Sequence, residues 1–165
     1  MLKTAIDDEL FKDVVDFYLL TGIRRADGPQ LRFSKHVDEE LGVILLPQQK
    51  QKDFKIIPIS EELRRVLNRL RLRSKGDQLI PFLPDYLTKA FGAYVARAGL
   101  RPDITFHALR HTFATWLASA GVSFTLIQAL LGQSDPDSTK VYVHAHSEDL
   151  VRAINKLKLP GADSN

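Results

Sequence analysis

The sequence contains no cysteine. Disulfide bonds, thiol nucleophiles and cysteine-ligated zinc or iron–sulfur centres are therefore excluded, and the composition is compatible with a reducing compartment. No stretch approaches the roughly 20 apolar residues that a membrane-spanning helix requires. The first residues also lack the apolar core of a signal peptide. These absences predict a cytoplasmic protein without a membrane partner.

A strong excess of either charge is also missing. Lysine and arginine number 23 and aspartate and glutamate 20, so the formal net charge is +3. This mild basicity permits a polyanionic partner but does not require one. The 165 residues are 44% hydrophobic, which is enough for one globular domain with its own core. Because no repeat or low-complexity linker is present, we predict a single domain over residues 1–158 and a flexible tail at 159–165.

Hydrophobic periodicity predicts an α+β fold that is mainly α-helical, with a small antiparallel three-stranded sheet near the N-terminal part. The predicted strands are 31–37, 42–47 and 54–59. The predicted helices are 10–21, 60–73, 85–97, the segment between an N-cap at Thr105 and a stop at Gly121, 123–131, 138–144 and 147–157. The helix at 60–73 has a basic face of arginines, which could meet phosphates or simply face solvent.

One predicted helix carries an unusual set of polar residues. Its first part, 106–117, reads FHALRHTFATWL. Residues three and four apart share a helix face, so His107, Arg110 and His111 form one polar patch beside apolar neighbours. The histidine spacing would also suit two metal ligands. However, Ala108 stands where a metalloprotease carries its glutamate, so a zinc site is not favoured.

Charged residues also gather at two connections. Arg24, Arg25 and Asp27 directly follow the first long helix, and the Gly-Pro pair at 28–29 prevents its continuation, so a tight charged turn is predicted. Lys50 lies between the last two predicted strands. A hairpin there can present an ammonium to a partner or simply point into solvent.

Several short segments form motifs in a fixed order. Residues 21–24 read Thr-Gly-Ile-Arg, with Asp27 three positions later. Lys50 precedes the Ile-Pro-Ile sequence at 57–59, and 107–115 reads His-Ala-Leu-Arg-His-Thr-Phe-Ala-Thr. Each motif is weak or moderate evidence alone, and their order and spacing make the combination specific.

The last motif completes the pattern. Leu-Gly-Gln-Ser at 131–134 is followed by Thr-Lys-Val-Tyr-Val-His at 139–144. From about residue 10 to 157 the chain therefore resembles the catalytic domain of the tyrosine recombinases, the phage-type integrases. That family has His, or sometimes Trp, where this chain has Gln133. Glutamine can donate a hydrogen bond but carries neither a proton for transfer nor a charge.

The resemblance implies an enzyme that cleaves and rejoins DNA through a 3′-phosphotyrosine, without a metal or other cofactor. Tyr142 would be the nucleophile and Lys50 the general acid for the leaving 5′ oxygen. The phosphorane formed in this reaction is doubly negative, so fixed donors must meet its charge. Arg24 and Arg110 suit that task because guanidinium binds phosphate bidentately and stays protonated. His107 would assist the ionisation of the tyrosine.

The remaining positions are expected to support the reaction. Gln133 would supply the altered last phosphate contact. Asp27 would orient Arg24, while His111 and His144 would hold the arginine or the tyrosine helix in place.

The resemblance also implies partners. We expect double-stranded DNA as the substrate, no small-molecule substrate, and a homotetramer assembled on DNA. The family's amino-terminal DNA-binding domain is expected to lie outside this chain. The last predicted helix has an apolar stripe that could dock onto a neighbouring copy or pack within its own chain; it consists of Leu150, Val151, Ile154 and Leu157.

Alternative functions remain open at this stage. A related type IB-like topoisomerase would use the same chemistry with less dependence on DNA sequence. A non-enzymatic or catalytically decayed DNA-binding module is a second alternative, because 116–132 has the pattern of a helix-turn-helix and Gln133 departs from the family. The same segment also fits a tight connection between two packed helices.

Overall fold

The computed structural model describes residues 2–47, 54–132 and 147–159. Its helices are α1 (Leu2–Ala5), α2 (Glu9–Thr21), α3 (Phe33–His36), α4 (Glu61–Arg73), α5 (Pro84–Arg97), α6 (Ala108–Ser119), α7 (Phe124–Leu131) and α8 (Ser147–Asn155). Its strands are β1 (Val37–Asp38), β2 (Val43–Pro47) and β3 (Phe54–Pro58). They form one antiparallel sheet in the order β1-β2-β3, which confirms the predicted α+β class. The predicted helix at 138–144 lies outside the described residues.

Local capping chemistry sets the ends of the main helices. The side chains of Asp8, Ser60 and Ser123 accept hydrogen bonds from backbone N–H groups in the first turns of α2, α4 and α7. Gly22 and Gly132 end α2 and α7 in the left-handed conformation, with φ of 59° and 66°. The predicted helices at 10–21, 60–73 and 123–131 agree with these boundaries to within one residue.

The predicted strand at 31–37 is wrong for most of its length, because α3 occupies its centre. Side-chain hydrogen bonds, one local and two long-range, favour the helical turn of α3. The Nδ1 atom of His36 accepts from the backbone N–H of Arg32 at 2.8 Å. The Asp77 carboxylate accepts from the backbone N–H and hydroxyl of Ser34 at 2.8 and 2.6 Å. Side-chain bonds to the backbone therefore outweigh the β-like composition.

Helix α6 begins later than the predicted cap at Thr105. The carbonyl of Thr105 accepts from the Ala108 N–H at 2.9 Å, which makes a tight turn before the helix. His107 occupies the cap position and makes no side-chain cap bond. The predicted stop is confirmed, since Gly121 has φ 77° and follows the C-cap residue Ala120.

Helix α2 lies at the centre of the core. Its buried residues run from Phe11 through Thr21 with few gaps, and it packs against both α4 and α6. A helix that is enclosed on several sides is apolar around most of its circumference. Within the described part of the chain, no helix is long and apolar enough to cross a membrane.

The end of α2 lies very close to α6 at Gly22. A Cβ built on Gly22 would lie 2.2 Å from Cδ1 of Phe113, and its φ is already positive. No other residue type fits without movement of the ring or the backbone. This contact brings the turn after α2 next to α6.

The basic face of α4 is largely engaged within the chain. Asp13 and Asp16 of α2 are 3% and 2% exposed, and Arg69 bonds to both, at 2.6 and 3.3 Å. Arg73 also pairs with Asp13, and Lys3 pairs with Asp16 at 2.9 Å. These contacts stabilise the α2–α4 interface, so that part of the predicted phosphate-facing surface serves the fold.

Part of the apolar stripe of α8 packs within its own chain. Ile154 and Leu157 are 1% and 3% exposed, whereas Val151 is 41% exposed. The Nζ atom of Lys156 donates to the Ala120 carbonyl at 3.1 Å, which ties the end of α8 to the end of α6. Leu159, which the sequence placed in the tail, is also buried in the core.

Replacement of Gly22 by alanine should destabilise the fold strongly. The added methyl group must displace Phe113 and hold a positive φ, so we expect a loss of about 2–4 kcal/mol in the free energy of unfolding. Gly42→Ala is the matched control, because Gly42 has φ 65° and no atom within 4 Å of the added Cβ. It should cost about 1 kcal/mol. Equal losses in urea unfolding would contradict the packing argument.

Removal of the Arg69 charge should leave each of two buried carboxylates with one cation fewer, since Asp13 keeps Arg73 and Asp16 keeps Lys3. We expect Arg69→Met to lower the free energy of unfolding by about 1–2 kcal/mol, less than the loss for a buried charge without any partner. Arg101→Met is the control, because Arg101 and its partner Asp103 are 80% and 66% exposed. Thermal unfolding that shifts equally in both variants would show that the α2–α4 ion pairs add no stability.

Candidate active site

The turn after α2 holds Arg24 in a fixed backbone position. The Asp27 carboxylate accepts from the Arg24 N–H at 3.3 Å, and the Asp27 N–H donates to the Arg24 carbonyl at 3.0 Å. The hydroxyl of buried Tyr18 donates to the Arg25 carbonyl at 2.8 Å. Gly28 passes so close to this hydroxyl that a Cβ would lie 2.1 Å from its oxygen. The side chain of Arg24 is exposed on this rigid turn.

Arg110 connects the ends of two helices. Its Nη1 donates to the Gly22 carbonyl at 2.6 Å and its Nη2 to the Leu131 carbonyl at 2.8 Å, and the residue is only 6% exposed. Both acceptors lie at helix C-termini, where carbonyls lack partners within the helix and the helix dipole is negative. A guanidinium is therefore well matched to this position. These two bonds fix the orientation of Arg110 relative to α2, α6 and α7.

The site carries more positive than negative charge. Burial lowers the pKa of Arg110, the neighbouring Arg24 lowers it further, and Asp27 opposes both effects. Arginine remains protonated despite such shifts. Two cations share the surroundings of one carboxylate here, so an anion would be stabilised beside them.

His107 and His111 form an aromatic pair at the start of α6. Their ring centroids lie 4.7 Å apart with the ring planes at 89°. Both side chains are exposed. The pKa of His107 lies below its usual value because of partial burial, with smaller effects from His111 and Arg110. At neutral pH the His107 imidazole is therefore mainly neutral and able to accept a proton.

A cleft of about 260 Å³ opens between the turn, α5 and α6. Arg25 donates to the Thr88 hydroxyl across one wall. The residues that line the cleft come from three segments and are Ile23, Arg25, Thr88, Thr105, Phe106, His107 and Arg110. Its wall thus includes both a neutral imidazole and a buried guanidinium.

Lys55 is a site residue that was missed in the sequence. It lies on β3 and is only 8% exposed. Burial, Arg110 and Arg24 lower its pKa to about 7, and Asp27 opposes the change. The sequence does carry a signal for the burial of Lys55, because alternation along a strand places it on the same face as Ile57, which is buried. A lysine at an inward position is rare without a specific reason.

The structure brings five of the predicted residues to one corner of the fold: Arg24, Asp27, His107, Arg110 and His111. Asp27 contacts Arg24 through the backbone, as described above. The predicted residues Lys50, Gln133, Tyr142 and His144 lie outside the described residues. Among the described residues, no three His, Asp or Glu side chains come together as a metal site.

Known proteins with similar sequences are tyrosine recombinases. XerA of Thermococcus kodakarensis is 32% identical over 154 residues, which cover 91% of this chain and 49% of that protein. XerA of Pyrococcus horikoshii is 33% identical over 152 residues, which cover 84% of this chain and 51% of that protein. The chain thus spans about half the length of these two relatives.

Solved structures share the fold. The crystal structure of XerA recombinase matches with a TM-score of 0.67 and 26% identity, over 92% of this chain and 57% of that one. The integrase from mycobacterium phage Brujita matches with a TM-score of 0.76 over 95% of this chain and 55% of that one. Its identity is 18%, so this second likeness concerns the fold alone.

The family model described as "Phage integrase family" matches residues 2–149, which is most of the chain. The matched range includes every predicted site residue. From this match and the relatives above, the chain belongs to the phage integrase family of tyrosine recombinases.

Proposed function

We propose that this chain is the catalytic part of a site-specific recombinase that cleaves and rejoins double-stranded DNA. The observation that carries the proposal is the fixed Arg110, buried beside the exposed Arg24 in a site with excess positive charge. A phosphodiester is the anion that members of this family act on. The site lies within the residues that the family model matches, which supports the same substrate here.

The proposed reaction transfers a phosphoryl group. The phenolic oxygen of Tyr142 attacks the phosphorus and the bond to the 5′ oxygen breaks, which leaves a 3′-phosphotyrosine. The tyrosine proton goes to a base, and the departing 5′ oxygen takes a proton from Lys50. Rejoining reverses each transfer. The covalent bond preserves the energy needed for religation, so no nucleotide cofactor is consumed.

The two arginines divide the stabilisation of the phosphorane. A guanidinium has five N–H donors, and the two carbonyl bonds of Arg110 leave three available for phosphate oxygens. Because the carbonyl bonds already hold the side chain, little reorganisation is needed when charge develops. The exposed side chain of Arg24, on a turn held by Asp27, would bind the phosphate from the solvent side. In this proposal His107, mainly neutral at pH 7, accepts the tyrosine proton.

DNA-bound assemblies of similar fold support the proposed partners. Solved structures include a lambda integrase dimer bound to a COC′ core site and a lambda integrase tetramer bound to a Holliday junction. We therefore propose double-stranded DNA as the substrate and four copies as the working assembly. A cytoplasmic location follows from such a substrate and stays a prediction.

A DNA-binding module without catalysis is the second candidate. The observation in its favour is Gln133, which stands where the family has His, or sometimes Trp, and which cannot carry a proton for transfer. In that case the basic corner would bind phosphates and Tyr142 would have no chemical role. Covalent trapping separates the two functions.

Covalent trapping tests the nucleophile directly. The probe is a pool of radiolabelled duplexes with one nick and randomised sequence around it. Denaturation should leave labelled DNA attached to wild-type protein and to the control Tyr86→Phe, whose tyrosine lies on α5 outside the site. Tyr142→Phe should give no adduct. Adduct formation by Tyr142→Phe would refute the assignment, and DNA binding without adduct in wild type would favour the second candidate.

The two arginines should respond differently to replacement by methionine. Arg24→Met should slow adduct formation about 10²- to 10³-fold, with the free energy of unfolding changed by less than about 0.5 kcal/mol, because the side chain is exposed. Arg110→Met should slow the reaction and also cost about 2–4 kcal/mol of stability, since two carbonyls lose their donor. Urea unfolding and trapping on the same preparations measure both effects. A stable Arg110→Met variant would contradict the structural role of Arg110.

A further inference from the structure

The side chain of Lys55 ends beside the C-terminus of α7. A Cβ on Gly132 would lie 3.4 Å from its Cδ and 3.9 Å from its Nζ. The preceding residue, Leu131, accepts the bond from Arg110 at 2.8 Å. The ammonium of Lys55 and the guanidinium of Arg110 thus approach the same helix end from β3 and from α6.

The location of Lys55 separates it from the cleft. The cleft is lined by Arg110 and His107, while Lys55 is not among its lining residues. Lys55 is 8% exposed, and Arg110 is near enough to lower its pKa. It can therefore act on a bound phosphate through Arg110 and the end of α7, rather than by direct contact from an exposed surface.

We propose that Lys55 is a positioning residue of the site, which takes up a proton from solvent when a DNA phosphate enters beside Arg24 and Arg110. This rests on the proposed function, since it takes a DNA phosphate as the ligand. The added ammonium then strengthens the hold on the phosphate and on the C-terminal end of α7.

The charges around Lys55 determine the direction of this coupling. Among the described residues, those that shift its pKa are Arg110 and Arg24, which lower it, and Asp27, which raises it. Burial is the largest cause, and the resulting pKa is about 7. A phosphate anion acts in the same direction as Asp27, so it raises the pKa of Lys55.

The sign of the pH dependence follows by linkage. Below pH 7 Lys55 is charged with or without DNA, so its contribution to binding does not vary. Between pH 7 and the higher pKa of the complex, binding requires uptake of one proton. The affinity for DNA should therefore fall as pH rises above 7, with a limiting slope of about tenfold per pH unit.

The test measures DNA affinity from pH 6 to 9.5 at constant salt, with a fluorescent 20-base-pair duplex and the full chain. Wild type should lose affinity above pH 7. Lys55→Met keeps the stem against Gly132 and removes the charge, so it should lose this slope and bind as weakly as wild type at high pH. Lys55→Arg should stay charged, lose the slope and bind tightly throughout. The control Lys75→Met, an exposed lysine outside the site, should keep the wild-type slope.

If Lys55→Met fails to fold, NMR can measure the titration of Lys55 directly in the wild-type protein. In wild-type protein with ¹³C-labelled lysine, one ε-carbon resonance should titrate near pH 7, be absent from Lys55→Arg, and titrate at higher pH with bound duplex. An unchanged titration with bound DNA, or a wild-type affinity slope in Lys55→Met, overturns the role of Lys55 alone. Failure of wild type to bind the duplex at any pH overturns the DNA substrate as well.

Discussion

The pair of hydrogen bonds from Arg110 to the carbonyls of Gly22 and Leu131 is the constraint on which the site depends. Helices α2 and α7 both end in left-handed glycines, and each end leaves carbonyls without intrahelical partners. One buried guanidinium satisfies a carbonyl at each end. The three helices that form the corner are thereby held together by the side chain that also faces the cleft.

Other contacts position the groups around Arg110. Gly22 allows α2 to end against Phe113 of α6, which brings its carbonyl within reach of the guanidinium. Tyr18 and Asp27 hold the backbone of the following turn, so the exposed side chain of Arg24 extends from a fixed backbone position. The buried carboxylates of α2 engage arginines of α4. The positive charge at the corner near α6 therefore remains comparatively uncompensated, and electrostatic attraction for an anion is concentrated there.

Much of this fold was predictable because its signals are local. Caps such as Ser60 and Ser123 act on residues three positions away, so helix boundaries could be read from short segments. The strand at 31–37 failed because the bonds that favour α3 include contacts with Asp77, about forty positions further along the chain. Strand periodicity identifies the inward face but not the charged neighbours that Lys55 meets there.

In the candidate site, too, local patterns were predictable from the sequence and long-range contacts were not. Helix spacing places Arg110 beside His107 and His111, and the motif order associates them with Arg24. No local pattern reveals that Arg110 bonds to two helix ends, because Gly22 and Leu131 lie 88 and 21 positions away. The roles of Lys50, Gln133, Tyr142 and His144 stay predictions. Asp27 was expected to orient Arg24, and its contact with the Arg24 backbone gives that expectation a specific form.

The burial of Arg110 affects how inactive relatives should be recognised. A descendant that no longer recombines DNA would still need a donor for two buried carbonyls, so folding alone would retain this arginine. The exposed side chain of Arg24 makes no comparable structural contact among the described residues. Under the proposed function, the residue at the position of Arg24 is therefore the better indicator of activity among chains with this architecture.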